Sequence, residues 1–316
     1  MYVSDANNLV IIHQEIPIVE QEQTISSLES SYEYCISIMA ENSKSFSFAS
    51  RFLPPEQKKS VAALYAFCRL ADDVVDENYD IMTVEEINQE LDRLKDSVSQ
   101  MSDCYQCTST NPILKAFGDT INRHNIPVEY MQELIEGVRM DLNKKEYYTE
   151  EELELYAYRV ASTVGLMMTH IFMENPAPHT LARAADLGKA MQITNILRDI
   201  SEDHDMGRIY LPRETREIYG VSEDDLKKDI VSDNLLNLIR YESERANNFY
   251  RLADLGIEDL PPKAAFTIKV ASRIYGEILN EIKRMDYQIL GRRAVVSKLR
   301  KIAIALKIRL QYMRKM

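Results

Sequence analysis

The 316-residue sequence predicts an all-α protein on three observations. Glycine and proline are scarce, 9 and 10 of 316, while Leu, Ala, Glu, Lys, Ile and Arg dominate, a helix-forming composition. Apolar residues recur at helical spacing through most of the chain. No β-branched segment alternates between turn residues for long, so strand signals are weak. Nothing repeats at the period of about 20 to 50 residues that marks a solenoid. The length is about twice a typical domain, yet one large helical body accounts for it.

Residues 1–28, with Ile16-Pro17-Ile18 and then a Glu/Gln run, lack periodicity and are expected to be an arm, partly disordered, ahead of one domain over 29–316. The pattern predicts helices over 30–49, 56–77, 83–100, 112–123, 127–143, 150–173, 179–203, 232–255, 262–288 and 293–314. Breakers justify the boundaries. Pro54-Pro55 ends the first segment, and Asn111-Pro112 and Pro127 open the fourth and fifth. Asn175-Pro176-Ala177-Pro178 precedes the seventh, Gly207 and Pro212 follow it, and Pro261-Pro262 opens the ninth. The charged tract from Ser222 to Asp233 reads as a solvated surface helix.

Charge and cysteine usage narrow the function classes. The chain carries a net −12, but residues 283–316 hold eleven Lys/Arg against Asp286 alone, a +10 tail on a −22 body. A nucleic-acid partner is not expected, because its basic groups should coincide with a groove-reading or aromatic face. No apolar run reaches 18 residues, so no transmembrane span is expected. Within the tail, Val295, Leu299, Ile302, Leu306, Leu310 and Met313 fall at helical spacing beside the basic residues. Two readings stay open: a terminal helix packed on the body with a solvated basic side, or peripheral contact with anionic lipid. Four cysteines in a chain this long, without a secretory leader, point to a reducing, cytoplasmic setting. Cys104-Tyr-Gln-Cys107 has the spacing of half a zinc site, but no second pair follows and His124 is isolated, so free thiols are the simpler reading.

The chemistry lies in two carboxylate pairs. Asp72 and Asp76 stand four residues apart in LYAFCRLADDVVDE, and the stretch from Val61 to Val75, VAALYAFCRLADDVV, is apolar around most of its circumference. About one helical turn separates them, so both project from one face of a buried helix. Enclosed carboxylates need cations or hydrogen bonds, or they take up a proton. For a lone pair, a salt bridge to Arg69 would suffice. The second helix changes this balance: Gln192, Asn195, Asp199 and Asp203 step by three, four and four along a helix otherwise apolar at Ala190, Met191, Ile193, Ile196, Leu197 and Ile200. Neutral and anionic oxygens at successive turns suit Mg²⁺ or Mn²⁺. Two such stripes imply a shared divalent cluster with open positions for phosphate oxygens.

Lys44, Arg69, Arg159, Arg198 and Arg208 are cations in the right company for phosphate. No Walker loop or dinucleotide glycine motif is present, so a nucleotide is not the expected phosphate carrier. A diphosphate leaving group in an apolar cavity is the alternative. Its departure generates a carbocation that only a water-poor pocket preserves. Phe46, Tyr65, Tyr156, Tyr158 and Tyr275 are candidates for its wall, since aromatic faces attract cations.

Four ordered motifs carry a family resemblance. They are Ser43-Lys44-Ser45-Phe46; Tyr65-x-Phe67-Cys68-Arg69-x-x-Asp72-Asp73-x-x-Asp76; Tyr156-x-Tyr158-Arg159-Val160-Ala161-x-x-Val164-Gly165; and Gln192-x-x-Asn195-Ile196-Leu197-Arg198-Asp199 through Asp203 to Gly207-Arg208-Ile209-Tyr210-Leu211-Pro212. Over about residues 32 to 300 the chain resembles the squalene/phytoene synthase family. The resemblance implies a single-domain isoprenoid synthase fold with a central cavity between the two aspartate helices. It implies head-to-head condensation of two prenyl diphosphates with Mg²⁺, through a cyclopropyl diphosphate. Asp72, Asp76, Asn195, Asp199 and Asp203 would hold the metals. Ser43, Lys44, Arg69, Arg198, Arg208 and Arg293 would bind diphosphate, with Phe46, Val160 and Gln192 also against the substrate. Tyr156 and Tyr275 would stand at the reacting centre, with Asp72, Asp76, Asp199 and Asp203 counted among the catalytic groups.

The Ser-Phe-Ala-Ser-Arg-Phe-Leu-Pro run at 47–54 and the Gly-Arg-Ile-Tyr-Leu-Pro motif look most like bacterial-type phytoene synthases, which use geranylgeranyl diphosphate and need no NADPH. Ser50 is small where a bulky residue would shorten the cavity, which favours the twenty-carbon substrate. The alternative is a dehydrosqualene or squalene synthase acting on farnesyl diphosphate. A terpene cyclase would share the fold, and a non-catalytic assembly factor would be expected to lack the aspartates that this chain retains. The sequence does not define an oligomeric state.

Overall fold

The structure is a computed structural model that describes residues 27–79, 81–103, 109–143, 146–228 and 230–315. The expected N-terminal arm, apart from its last two residues, lies outside the described residues, as do Cys104 and Cys107; Cys35 and Cys68 are free thiols. The first helices are α1 (Leu28–Asn42), α2 (Lys44–Ser50), α3 (Pro55–Asp76), α4 (Val84–Asp103), α5 (Pro112–His124) and α6 (Val128–Asn143). There follow α7 (Glu150–Ala157), a π-helical turn (Tyr158–Ser162), α8 (Thr163–Phe172), α9 (Pro178–Asp205), α10 (Arg213–Tyr219) and α11 (Glu223–Leu226). The chain closes with α12 (Asp233–Ile257), α13 (Pro262–Arg284) and α14 (Lys298–Lys315). Among the described residues the β structure is one isolated bridge between Glu146 and Ile209.

The helix starts follow local chemistry. Pro55, Pro112, Pro178 and Pro262 each occupy the first turn, where a missing N–H leaves no hydrogen bond unmade. Asn111 caps α5 by accepting from the Ile113 and Leu114 N–H groups, and Asn125 closes it in the left-handed region at φ 48°. Ser232 caps α12 in the same manner through the Leu235 N–H.

Five expectations need correction. The segment read as one helix over 30–49 is two, because Ser43 leaves helical geometry (φ −135°, ψ 97°) and its hydroxyl caps α2 by accepting from the Phe46 N–H. The segment 150–173 is interrupted by the π-helical turn. The helix expected to reach 288 ends at Arg284, with Asp286 and Tyr287 at φ 51° and 61°, and the last helix begins at 298 rather than 293. The tract 222–233 forms only the one-turn α11, fixed by a reciprocal capping pair of Ser222 and Asp225.

Two apolar clusters build the body. One joins α1, α3, α4, α5, α6 and α8 around Phe67, Phe117 and Met131; the other joins α7, α9, α12 and α13 around Leu197, Leu238 and Ile282. Leu187 of α9 packs against both, so α9 runs along the seam, in contact with α8, α12, α13 and the π turn. A third cluster seats α14, through Ala305 and Ile308, on Phe48, Phe52, Phe266, Val270 and Ile274.

Candidate active site

A cavity of about 290 Å³ lies along this seam. On α9 its wall runs from Thr180 to Asn195, fifteen residues that rise about 22 Å. Val61 to Asp72 of α3 and Val160 to Phe172 around the π turn form facing walls. One end is polar, with Asp72, Gln192 and Asn195. Just inside, Phe46 sits 6.1 Å from the Tyr65 ring and 5.6 Å from the Tyr275 ring, centroid to centroid, so three aromatic rings line the cavity behind the polar end. Burial pushes the Tyr65 hydroxyl up to about 12 and raises that of Tyr275, so both stay neutral donors. The wall beyond is mostly apolar as far as Thr180 and Arg183, whose guanidinium pairs with Asp186 at 2.8 Å.

At the polar end the two aspartate helices are linked by an arginine that follows α9, and a carboxylate from a third helix couples to both. Asp141 of α6 interacts electrostatically with Asp72, Asp76 and Asp203. Enclosure, then repulsion from Asp76 and Asp141, drives Asp72 well above the ordinary carboxylate range. Asp72 lines the cavity and, like Asp76, is exposed and not packed away as the sequence suggested, so its enclosure is by cavity walls rather than by packed neighbours. Burial, reinforced by Asp199 and Asp141 and opposed by Arg208, raises Asp203 to about 7. Burial also lifts Asp141 to about 6, against the opposing pull of the Tyr210 and Tyr156 hydroxyls and Arg208.

Arginines occupy the remaining carboxylates. Arg208 Nη2 donates to Asp76 Oδ1 at 3.0 Å, joining the end of α9 to α3. Gly207 makes this possible: at φ 74° it ends α9 in the left-handed region and turns Arg208 back toward the helix, with the Arg208 N–H donating to the Asp203 carbonyl at 2.9 Å. Arg198 holds Asp199 through two guanidinium nitrogens, and Arg293 reaches Asp199 and Glu202, each at 3.1 Å.

Among the described residues no three His, Cys, Asp or Glu side chains converge closely enough to hold a metal ion as they stand. The donor chemistry nevertheless fits a hard divalent cation. Asp141 raises the proton affinity of both Asp72 and Asp203, and Asp76 that of Asp72 and Asp141, an excess of negative charge that a cation would relieve. Asn195 Oδ1 is buried with no hydrogen-bond partner, an oxygen left for a ligand to fill.

Several sequence-selected residues do not meet at this end. Tyr156 is 4% exposed and off the cavity wall; its hydroxyl donates to Asp141 Oδ2 at 2.9 Å and its ring packs on Tyr147 and Tyr210. Arg69 pairs with Asp73 rather than Asp72, and Arg159 donates to Glu133 at 2.8 Å. Tyr158 is absent from the cavity wall. Ser43 uses its oxygen as the α2 cap, and Lys44 is exposed near Lys301. Phe46, Val160, Gln192 and Tyr275 do line the cavity.

Asp141 and Tyr210 were not marked by the sequence. Tyr210 donates to Asp141 Oδ1 at 2.7 Å, so one carboxylate is gripped by two tyrosines. A single Asp in the α6 segment VRMDLN has no paired partner to announce it, whereas Tyr210 stood inside a recognised motif without an evident role.

The fold and this site define an all-α protein suited to a long apolar molecule with an anionic head. The chain belongs to the squalene/phytoene synthase family, which matches residues 39–300. It is 32% identical over 289 residues to a 4,4'-diapophytoene synthase of Staphylococcus haemolyticus, covering 91% of this chain and 99% of that one. It is likewise 32% identical over 286 residues to a phytoene synthase of Arthrospira platensis, covering 87% and 91%. Among solved structures it is similar to a dehydrosqualene synthase in complex with ligand, with a TM-score of 0.83, 30% identity and coverage of 92% and 98%. A squalene synthase from Alicyclobacillus acidocaldarius gives a TM-score of 0.74 at 28% identity, covering 82% and 95%.

Proposed function

We propose that this protein joins two geranylgeranyl diphosphates head to head, through a cyclopropyl diphosphate, to phytoene. The observation that carries this reading is the apolar cavity along α9, entered past two aspartate helices and a cluster of arginines. Asp72, Asp76, Asn195, Asp199 and Asp203 would hold Mg²⁺, or Mn²⁺, which when bound neutralises the diphosphates and promotes their departure. Arg198, Arg208 and Arg293 lie against the same carboxylates, within reach of a diphosphate at that end. Phe46, Tyr65 and Tyr275 face the first carbons beyond it, where their rings stabilise positive charge and exclude water. Tyr156 acts from behind the wall, by orienting Asp141. No nicotinamide is required for a product formed by proton loss.

Small side chains favour the longer substrate: Ala49 and Ser50 of α2 leave the wall thin where a bulky residue would divide the cavity. A second reading, dehydrosqualene from farnesyl diphosphate, is favoured by the likeness to a diapophytoene synthase and a dehydrosqualene synthase. Purified protein with Mg²⁺ and each diphosphate in turn, with and without NADPH, separates the two by mass spectrometry of the hydrocarbon. Phytoene without NADPH supports the first reading, a thirty-carbon product the second, and no hydrocarbon under any condition refutes both. In the same assay Asp76→Asn or Asp199→Asn is expected to lower turnover by at least about a hundredfold with the fold intact, since each removes a metal ligand and eases charge crowding.

A further inference from the structure

The apolar stripe of the last helix does not pack on the body. Leu299, Ile302, Leu306, Leu310 and Met313 of α14, with Val295 just before it, are between 38% and 79% exposed. A different face, with Ile304, Ala305, Ile308 and Tyr312, makes the contact with Phe48, Phe52 and Phe266. The terminal helix therefore packs on the body with its basic residues in water, but through another face than the stripe of the sequence, which is left exposed beside them. At 3.6 residues per turn the five exposed apolar residues of α14 share an arc of about 80°. Lys298 and Arg309 flank the arc on one side, and Arg300 and Lys307 on the other. Arg300 is tied to Glu277 at 2.9 Å, while Lys298, Lys307 and Arg309 are exposed and make no ion pair among the described residues.

We propose that this face of α14 docks the protein on an anionic lipid surface. An apolar ridge flanked on both sides by cations, with Lys298, Lys307 and Arg309 free of ion pairs among the described residues, matches the boundary between acyl chains and acidic headgroups. The rest of the molecule fixes the orientation: residues 1–282 carry −22 and are repelled by the surface that attracts the +10 tail. A second copy of the chain is the poorer occupant, because a two-fold contact through the same ridge would set cations against cations. The opposite, packed side of the same helix lies next to the cavity. Lys301 Nζ donates to Ser45 Oγ at 2.9 Å, and α2 beneath it supplies Phe46 and Ser50 to the cavity wall. A molecule exchanged between membrane and cavity would have only a helix or two to pass.

The test uses the full chain in vesicle flotation, with phosphatidylcholine vesicles and with vesicles that add phosphatidylglycerol. The protein is expected to float with the anionic vesicles and to be released by salt. Leu306→Glu with Leu310→Glu, both on exposed side chains, should weaken partition by more than about tenfold while thermal stability holds. Replacing Lys298, Lys307 and Arg309 by Gln should weaken it about a hundredfold, near fivefold per cation. Absence of binding to anionic vesicles, or binding that the two glutamates leave unchanged, overturns the proposal. So does a lipid-free dimer that those glutamates dissociate, which would make the ridge a self-association surface. None of these readouts depends on the reaction catalysed, so they stand or fall apart from the product assay.

Discussion

Asp141 shows how much one enclosed charge can govern. It accepts from Tyr156 and Tyr210 and adds its charge to those of Asp72, Asp76 and Asp203. Asp141→Asn keeps an oxygen for one tyrosine but removes a negative charge from the cluster. A Mg²⁺ titration of the melting temperature should then need about tenfold more metal for its midpoint, the equivalent of roughly 1.4 kcal/mol; an unchanged midpoint would detach Asp141 from the cation site. Glu242 makes a separate pH prediction away from this end. Burial, with Glu150 and Glu154 nearby and against the pull of Arg245, raises it to about 7. The folded state holds that proton more tightly than the unfolded chain, so its contribution to stability is full below about 4.5 and is lost as pH rises through 7. In EDTA, Glu242→Gln should flatten the decline of melting temperature across that interval, and an unaltered slope would contradict the assignment. Of these residues, the sequence marked the paired aspartates because they repeat at one helical turn. Asp141 and Glu242 are single acids in amphipathic helices, and only tertiary packing makes them unlike solvated neighbours.

The π-helical turn between α7 and α8 is the element that most shapes the cavity wall, because it places Val160 and Ala161 there. It is wedged between two helices that approach through glycines. A Cβ on Gly188 of α9 would stand 2.4 Å from Ser162 Cα and 2.5 Å from its nitrogen, and one on Gly137 of α6 would meet Arg159 Cβ at 2.7 Å. At Gly188 the obstacle is backbone, which cannot swing aside. Gly188→Ala is therefore expected to destabilise by about 3 kcal/mol or more, lowering the melting temperature by several degrees in a chain of this size. A melting curve like that of the parent would show that the π turn can yield. Helix starts were legible because Pro55, Pro112, Pro178 and Pro262 carry local signals. The π turn was not, since 150–173 keeps its apolar spacing while one inserted residue shifts the hydrogen bonds. Ser43 had the chemistry of a cap, but the apolar pattern on either side masked the break.

At the scale of the whole molecule, composition was enough to predict helices, and the paired motifs implied that two of them face one another. How far the cavity runs depends on how two apolar clusters fail to close along α9, a consequence of side-chain volume at many distant positions. Ser50 offers a direct test of that length. It is 2% exposed, belongs to the cavity wall and donates its hydroxyl to the Ser47 carbonyl within α2, so its side chain fills little of the space beside it. It lies one turn past Phe46 on α2, and Phe46 and Ser50 both line the cavity. Ser50→Phe would place a ring across the path of the chain while leaving the carboxylates and arginines untouched. Because the new volume enters a cavity and not packed core, the loss of stability should stay within about 1 to 3 kcal/mol. Turnover of geranylgeranyl diphosphate should fall at least tenfold relative to that of farnesyl diphosphate, the size expected when a pocket must exclude several methylene groups at about 0.8 kcal/mol each. The ratio of forty- to thirty-carbon hydrocarbon formed from a mixture of the two diphosphates reads this directly. A ratio equal to that of the parent, in a variant that still melts cooperatively, would mean that the prenyl chain does not pass Ser50 and runs along another wall.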